Sequence, residues 1–374
     1  MTVFARSDTS ILGRWWWTVD RWTLTAVAAL IAFGIIMALA ASPAVAERIG
    51  LDYFYFARRQ LIYLPIALAL MMGASLLSPT GVFRAATVTL AVFTVLVIAT
   101  FVMGTEIKGA SRWIALGPIS FQPSEFLKPA FAVVAAWLFA SARTGDMTHG
   151  NLVSIAAFGM LVGLLLLQPD VGMAVVISAV WSAQFFLAGL PLYWAALLVV
   201  GGAGALIAAY FTLHHVASRI DRFLDPSSGD NYQVDRSLEA FMNGGLFGRG
   251  PGEGTVKEVL PDAHSDFVFA VAGEELGLFV CLIIVGLFAF IVLRGFARAL
   301  QETDLFILLA TSGLLVQFGL QAVINMGSTL RLMPTKGMTL PFVSYGGSSL
   351  IAMGLCVGFL LALTRRRVGA ESLR

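Results

Sequence analysis

Asn243–Gly277, NGGLFGRGPGEGTVKEVLPDAHSDFVFAVAGEELG, is a polar insertion between long apolar runs, and its reading decides the fold. Gly244, Gly245, Gly248, Gly250 and Gly252 loosen its first third; Lys257, Glu258, Asp262, His264 and Asp266 follow. An apolar run resumes at Phe267 and carries the adjacent carboxyls Glu274 and Glu275. Backbone freed from helical bonding is tolerated near a membrane only where protein covers it or water reaches it. The stretch is therefore expected to be a wet cavity wall, with one aspartate at the mouth of a membrane helix.

Outward from it, the chain of 374 residues is 58% hydrophobic and 12% charged. Ordinary globular chains are about 25% charged. With a mean hydropathy of +0.86, this composition implies an all-α, polytopic membrane protein. A net charge of +2 without a basic stripe argues against nucleic acid. Cys281 and Cys356 both lie inside apolar runs, as packing residues rather than a disulfide or metal framework. The first apolar run is long enough to span, so no cleavable signal peptide is expected.

A spanning helix needs roughly 20 apolar residues. Ten candidates meet that measure: Thr23–Val45, Gln60–Leu77, Ala85–Met103, Phe121–Ala142, Leu152–Leu167, Gly172–Ala188, Pro191–Leu213, Phe267–Leu293, Leu305–Met326 and Ser344–Leu363. The fifth and sixth nearly fuse around Gln168-Pro169-Asp170. An even count puts both termini on one side, with Arg6, Arg14, Arg21, Arg84, Arg143, Arg294, Arg298, Arg365, Arg366, Arg367 and Arg374. The short segments opposite carry Arg48, Arg58, Arg59, Lys108, Arg112, Arg331 and Lys336. The bias places both termini in the cytoplasm. The chain then divides into an N-terminal tail (1–22), a membrane domain (23–364) with an outer loop at about 214–266, and a C-terminal tail (365–374). Trp15-Trp16-Trp17 and Trp22 beside Arg14 and Arg21 read as an interfacial aromatic anchor, or else a partner-binding tail.

Three outer segments are more polar than connection requires. Glu106–Glu125 suggests a re-entrant or surface-lying amphipathic piece; the others are His214–Ser265 and Gly327–Tyr345. Their clustering on one face suggests a composite site. The paired broken helices of inverted-repeat transporters are not evident.

Ionisable groups at membrane depth are costly and are functional candidates by default. Glu125 and Lys128 share a helical face, as an ion pair between helices or as cavity groups. Asp266 before an apolar run reads as an N-cap; it is also placed to act as a general base toward a substrate hydroxyl. Glu274 falls nearer the face of Asp266 than Glu275 does. Asn325, Ser328, Arg331 and Lys336 supply donors for an anionic ligand; the bland alternatives are interhelical bonding and snorkelling. His264-Ser265-Asp266 is no triad, because neighbours in sequence cannot form the relayed geometry. The histidines lack metal spacing, and the glycine run lacks the Lys-Ser/Thr ending of a phosphate loop.

KGASRWI and GPISFQPSEFLK (Lys108–Lys128), QPDVG (Gln168–Gly172), DRFLDP (Asp221–Pro226), Tyr232–Gly277 and INMGSTLRLMPTKGMTLPFVSYGGSS (Ile324–Ser349) together resemble the SEDS family (shape, elongation, division and sporulation). GRGPGEG and LPDAHSDF are closer to its division branch than to its elongation branch. The resemblance implies a peptidoglycan glycosyltransferase that polymerises lipid II on the outer face of the bacterial inner membrane, paired with a class B penicillin-binding transpeptidase and other division proteins. It maps an essential aspartate onto Asp266, cavity residues onto Glu125 and Lys128, and a loop tryptophan onto Trp113, beside Arg112. His264, Glu274, Asn325, Arg331 and Lys336 complete the expected cavity. The family's chemistry inverts at the anomeric carbon, so one base suffices; cations, with or without Mg or Mn, would stabilise the leaving diphosphate. The rival class is a lipid-precursor flippase.

Overall fold

The computed structural model describes residues 10–107, 110–116, 119–189, 192–212, 214–225, 231–334 and 336–366. Arg6, Lys108, Arg367 and Arg374, counted above for orientation, lie outside them. In order, the elements are α1 (Ile11–Thr18), α2 (Arg21–Arg48), α3 (Tyr55–Ser75), α4 (Pro79–Met103), β1 (Thr105–Ile107), β2 (Ala110–Leu116), β3 (Ile119–Phe121), α5 (Ser124–Thr144), α6 (Gly150–Leu167) and α7 (Val171–Leu187). Then come α8 (Leu192–Thr212), α9 (His214–Leu224), α10 (Tyr232–Gly244), α11 (Val256–Val259), α12 (Val268–Ala299), α13 (Leu305–Thr329) and α14 (Gly347–Leu363).

Each expected span overlaps one long helix. Among the described residues, α2, α4, α5, α6, α12 and α13 are long and apolar enough to cross a membrane. The helices α7 and α14 and the Val200–Thr212 part of α8 are shorter apolar segments. Starts follow local chemistry: Asp20, Ser78, Asp170 and Asp304 each accept an amide hydrogen bond as N-cap, and Pro79 sits where its missing N–H costs nothing. The fifth and sixth spans are separate helices joined at Gln168–Asp170.

Two helices make the interior. In α5, 89% of the apolar window is buried, against 17% in α4 and 22% in α6, which turn apolar sides outward. Nearly all of α14 is buried, as expected of a helix that is apolar all round. Small residues let it approach α3: a Cβ on Gly354 would stand 2.5 Å from the Ala67 carbonyl oxygen, and one on Gly358 2.7 Å from that of Met71. Such close backbone contact is how helices associate in lipid, where hydrophobicity cannot drive them together.

Three expected segments take definite form. Glu106–Glu125, read as a re-entrant or surface-lying amphipathic piece, carries most of a three-stranded antiparallel meander, β1-β2-β3, the one sheet among the described residues. The long outer loop is largely ordered as α9, α10 and α11. The span starting at Phe267 is not continuous, because α12 breaks at Gly277 (φ 80°, ψ 179°).

That break explains the glycine-rich run. The carbonyls of Glu274 and Glu275 accept from the amides of Arg249 (2.9 Å) and Gly250 (3.0 Å). On the far side, the amides of Leu278 and Phe279 donate to the carbonyls of Gly245 (3.0 Å) and Leu246 (3.2 Å). Backbone thus satisfies backbone, as burial near lipid requires. Glycine allows the seam: a Cβ on Gly248 (φ 82°) would stand 2.2 Å from the Glu275 carbonyl oxygen. The seam pairs this backbone with protein, while residues 245–247, Arg249 and residues 251–253 stay exposed, as a wall that water reaches allows. Gly277→Ala combines a positive φ with a Cβ 2.3 Å from the Gly248 nitrogen. It is expected to lower stability by more than about 1 kcal/mol, read as a fall in the detergent unfolding midpoint.

Candidate active site

Asp266 lies in a turn, one residue before the Phe267 cap of α12, and Phe267 caps with no side chain. The aspartate therefore does not serve as the N-cap. Its backbone is held instead. Three consecutive carbonyls are each fixed: that of His264 by the Tyr345 amide (2.9 Å), Ser265 by the Ser344 hydroxyl (2.6 Å), and Asp266 by Asn325 Nδ2 (2.9 Å). The donors come from α13 and the segment before α14, so distant sequence presets the half-buried Asp266 side chain. A side chain whose backbone is held in this way keeps its place with little reorganisation.

The extended segment Lys336–Leu340 joins the candidates. Lys336 runs across Gly172, where a Cβ would stand 1.6 Å from its Cε, and reaches Asp170 Oδ1 at 2.9 Å. Gly337 packs on the Asp266 carboxylate, which lies 3.0 Å from the position a Cβ would take. The Met338 carbonyl accepts from Asn325 (2.6 Å), and that of Thr339 from Gln321 (3.1 Å). Leu340 donates its amide to Ser344 Oγ (2.8 Å).

Asp170 is the centre of the adjoining charges. It is 2% exposed and takes Lys336 at 2.9 Å, Arg112 at 3.8 Å and Gln122 Nε2 at 3.3 Å. Arg112, on β2, also donates to the carbonyls of Gln168 (2.9 Å) and Pro169 (2.5 Å). The meander thus presents a guanidinium to the α6–α7 junction. Trp113 follows it, half-buried.

Burial alone would raise the Asp170 carboxyl, but Lys336 and Arg112 outweigh it and hold it below the ordinary aspartate value. Such a group stabilises the fold above its unfolded pKa of about 4 and stops doing so only as pH falls through the lower folded value. The penalty for Asp170→Asn is accordingly expected to be the same at about pH 5.5 and 8. Unfolding midpoints measured at both values check this; a penalty that shrinks at the acid end contradicts it.

Deeper in the bundle, Glu125 and Lys128 come together on α5 as one face of the helix predicts. They form a charge pair at 2.8 Å without an aligned hydrogen bond. Lys128 gives its bond to Gln321 Oε1 (2.7 Å) and is 2% exposed. Gln321 also reaches the Ser349 hydroxyl at 3.3 Å. This network braces α5, α13 and α14 behind the segment that faces Asp266.

Other expected cavity residues lie elsewhere or serve the frame. Glu274 is 0% exposed and accepts from the amides of Thr255 (3.0 Å) and Val256 (3.1 Å), capping α11. Glu275 binds Lys257 at 2.5 Å and the Gly252 amide at 3.0 Å. The His264 ring packs between Phe56 and Tyr345, with centroids at 4.0 and 5.3 Å. Arg331 faces Asp235 at 3.6 Å. Trp15 is not a surface anchor; it is 5% exposed and donates to Ser75 Oγ at 2.9 Å, while Trp22 is exposed. Asp170, Gln122, Gln321 and Thr339 were not singled out from sequence. An aspartate between two short spans was the available signal for the first.

The fold and this arrangement define a polytopic helical membrane protein with a held carboxylate beside a cationic cluster at one end of the bundle. The chain belongs to the cell cycle protein family of FtsW, RodA and SpoVE, whose model matches residues 21–368. It is 45% identical over 371 residues to the probable peptidoglycan glycosyltransferase FtsW of Caulobacter vibrioides, covering 98% of this chain and 94% of that protein. The protein of the same description from Escherichia coli O157:H7 is 35% identical over 358 residues, 92% of this chain and 85% of that one. Among solved structures, the rod shape determining protein RodA of Thermus thermophilus matches with a TM-score of 0.68 at 31% identity, covering 93% of this chain and 97% of that one. A chain from a study of how a peptidoglycan synthase complex coordinates polymerization and crosslinking matches with a TM-score of 0.74 at 30% identity, over 92% and 97% of the two chains.

Proposed function

We propose that this chain is a peptidoglycan glycosyltransferase that polymerises lipid II into β-1,4 glycan strands for the division septum. The acceptor 4-hydroxyl attacks the donor anomeric carbon, the bond from that carbon to the polyprenyl diphosphate breaks, and Asp266 takes the hydroxyl proton. Configuration inverts, so no second nucleophile is needed. The observation that carries this reading is the Asp266 carboxylate packed on Gly337, next to Lys336 and its partners Asp170 and Arg112.

Lys336 and Arg112 are the cations assigned to the departing diphosphate. Lys128 is committed to Glu125 and Gln321 and supports the site from behind. Among the described residues, no three His, Cys, Asp or Glu groups converge as metal ligands. A divalent cation would thus have to be held chiefly by the substrate's diphosphate, and no step is assigned to one. In this reading both termini lie on the cytoplasmic side of the inner membrane, Asp266 lies on the outer side, and the partner is a class B penicillin-binding transpeptidase.

The test is lipid II polymerisation by the purified full chain with its transpeptidase in detergent, where there is no second compartment. Glycan strands resolved on a gel are the expected product. Movement of lipid II across vesicles with no strand formed in detergent would instead identify a flippase.

A further inference from the structure

At the opposite end of α14 from the Asp266 site is a cavity of about 360 Å³, lined by residues including Arg14, Trp15, Leu76, Ala362, Arg365 and Arg366. The 17 residues of α14 separate the two places by about 25 Å at 1.5 Å per residue. Its walls are fixed by bonds. Trp15 pins α1 to Ser75 at the end of α3, and the Arg366 amide donates to the Thr18 carbonyl at 3.0 Å, strapping the chain after α14 onto α1. Arg298 holds the Thr364 carbonyl at 3.1 Å.

Asp20, buried at the same end, is already shared between Arg294 (2.8 Å) and Arg298 (3.1 Å). Among the described residues neither Arg14 nor Arg366 is ion-paired. The exposed Arg14 and Arg366 thus present guanidinium groups at a cavity with the apolar surface of Trp15, Leu76 and Ala362. The planar guanidinium fork suits phosphate oxygens. The volume lies within the usual range for small-ligand sites, about 300–1,000 Å³.

We propose that this cavity binds a phosphate anion, supplied either by the headgroup of an acidic membrane lipid or by a soluble phosphorylated molecule. The exposed Ile11 and Leu12 on α1 (66% and 51%) suit an acyl chain leaving the cavity. The site is independent of the glycosyltransferase reading.

The test uses the full chain in nanodiscs of phosphatidylcholine with phosphatidylglycerol, and in detergent with inorganic phosphate. Native mass spectrometry reads retained lipid; thermal unfolding reads the phosphate arm. The wild type is expected to prefer phosphatidylglycerol, and R14Q/R366Q to lose that preference by about thirtyfold, roughly fivefold for each arginine near an acidic headgroup. R14K/R366K, which keeps both charges, is expected to retain part of it. Retention of phosphatidylglycerol without stabilisation by inorganic phosphate assigns the site to lipid. Stabilisation by inorganic phosphate that R14Q/R366Q loses assigns it to a soluble source. Should the double variant not fold, R14Q alone, with a loss of about fivefold, carries the comparison. A wild type that shows neither preference nor stabilisation overturns the proposal, as does undiminished retention by a folded arginine-to-glutamine variant.

Discussion

Asp266→Asn is expected to cut lipid II polymerisation by at least about 100-fold, the lower end of what a positioned base contributes. The amide matches the carboxylate in size. Its backbone carbonyl still meets Asn325, and its neighbours His264 and Ser265 still meet Tyr345 and Ser344. The unfolding midpoint is therefore expected to move little. What changes is basicity: a neutral amide cannot accept the proton of the acceptor hydroxyl. The loss should fall on turnover rather than on donor binding, which rests with Lys336 and Arg112 in this reading. Turnover within a few-fold of wild type would show that the proton goes elsewhere. The complementary variant is Asn325→Ala, which leaves the carboxylate intact but releases the Asp266 carbonyl. It is expected to lower turnover and the midpoint together.

Lys128→Met is expected to be among the most destabilising single changes, at about 3–5 kcal/mol, the usual cost of stranding one member of a buried ion pair. Glu125, 8% exposed, would face a thioether, and Gln321 Oε1 would lose its donor. Adding Glu125→Gln removes the stranded charge, and the double variant should recover a large part of the midpoint. Activity separates the two roles considered for this lysine. A frame residue returns activity along with stability in the double variant. A lysine that touches the diphosphate leaves the double variant stable and inactive.

The sequence made some features plain and hid others for identifiable reasons. Long apolar runs mark helices because length and composition are local signals, whereas the caps Asp20, Ser78 and Asp304 became visible only in the structure. Glu125 and Lys128 were legible as a pair because helical spacing alone brings residues three apart onto one face. Asp266 was legible as a candidate, but its function as a cap was misread, since the turn at Asp262 (φ 54°) starts the helix two residues later. The partners of Glu274 stayed hidden because helical phase takes no account of a loop folding back to offer amides from Thr255 and Val256. The meander after α4 carries little strand periodicity, and its pairing depends on neighbours rather than composition. Asp170 stayed hidden because its partners Lys336 and Arg112 lie 166 and 58 positions away in the chain, beyond any periodicity rule.

The discontinuity at Gly277 bears on how the reaction meets the bilayer. Below it, α12 exposes Leu278, Phe279, Leu282 and Ile283; above it, Val268–Glu275 is wholly enclosed. A spanning helix in a thinner or thicker bilayer adjusts by tilting. Here the same loop clamps both sides of the non-helical joint, through Glu274 and Glu275 above and Leu278 and Phe279 below, so any tilt of the lipid-facing length starts beyond the clamp. The clamp keeps the enclosed start of α12, and Asp266 just before it, with the loop while the length beyond adjusts to the bilayer.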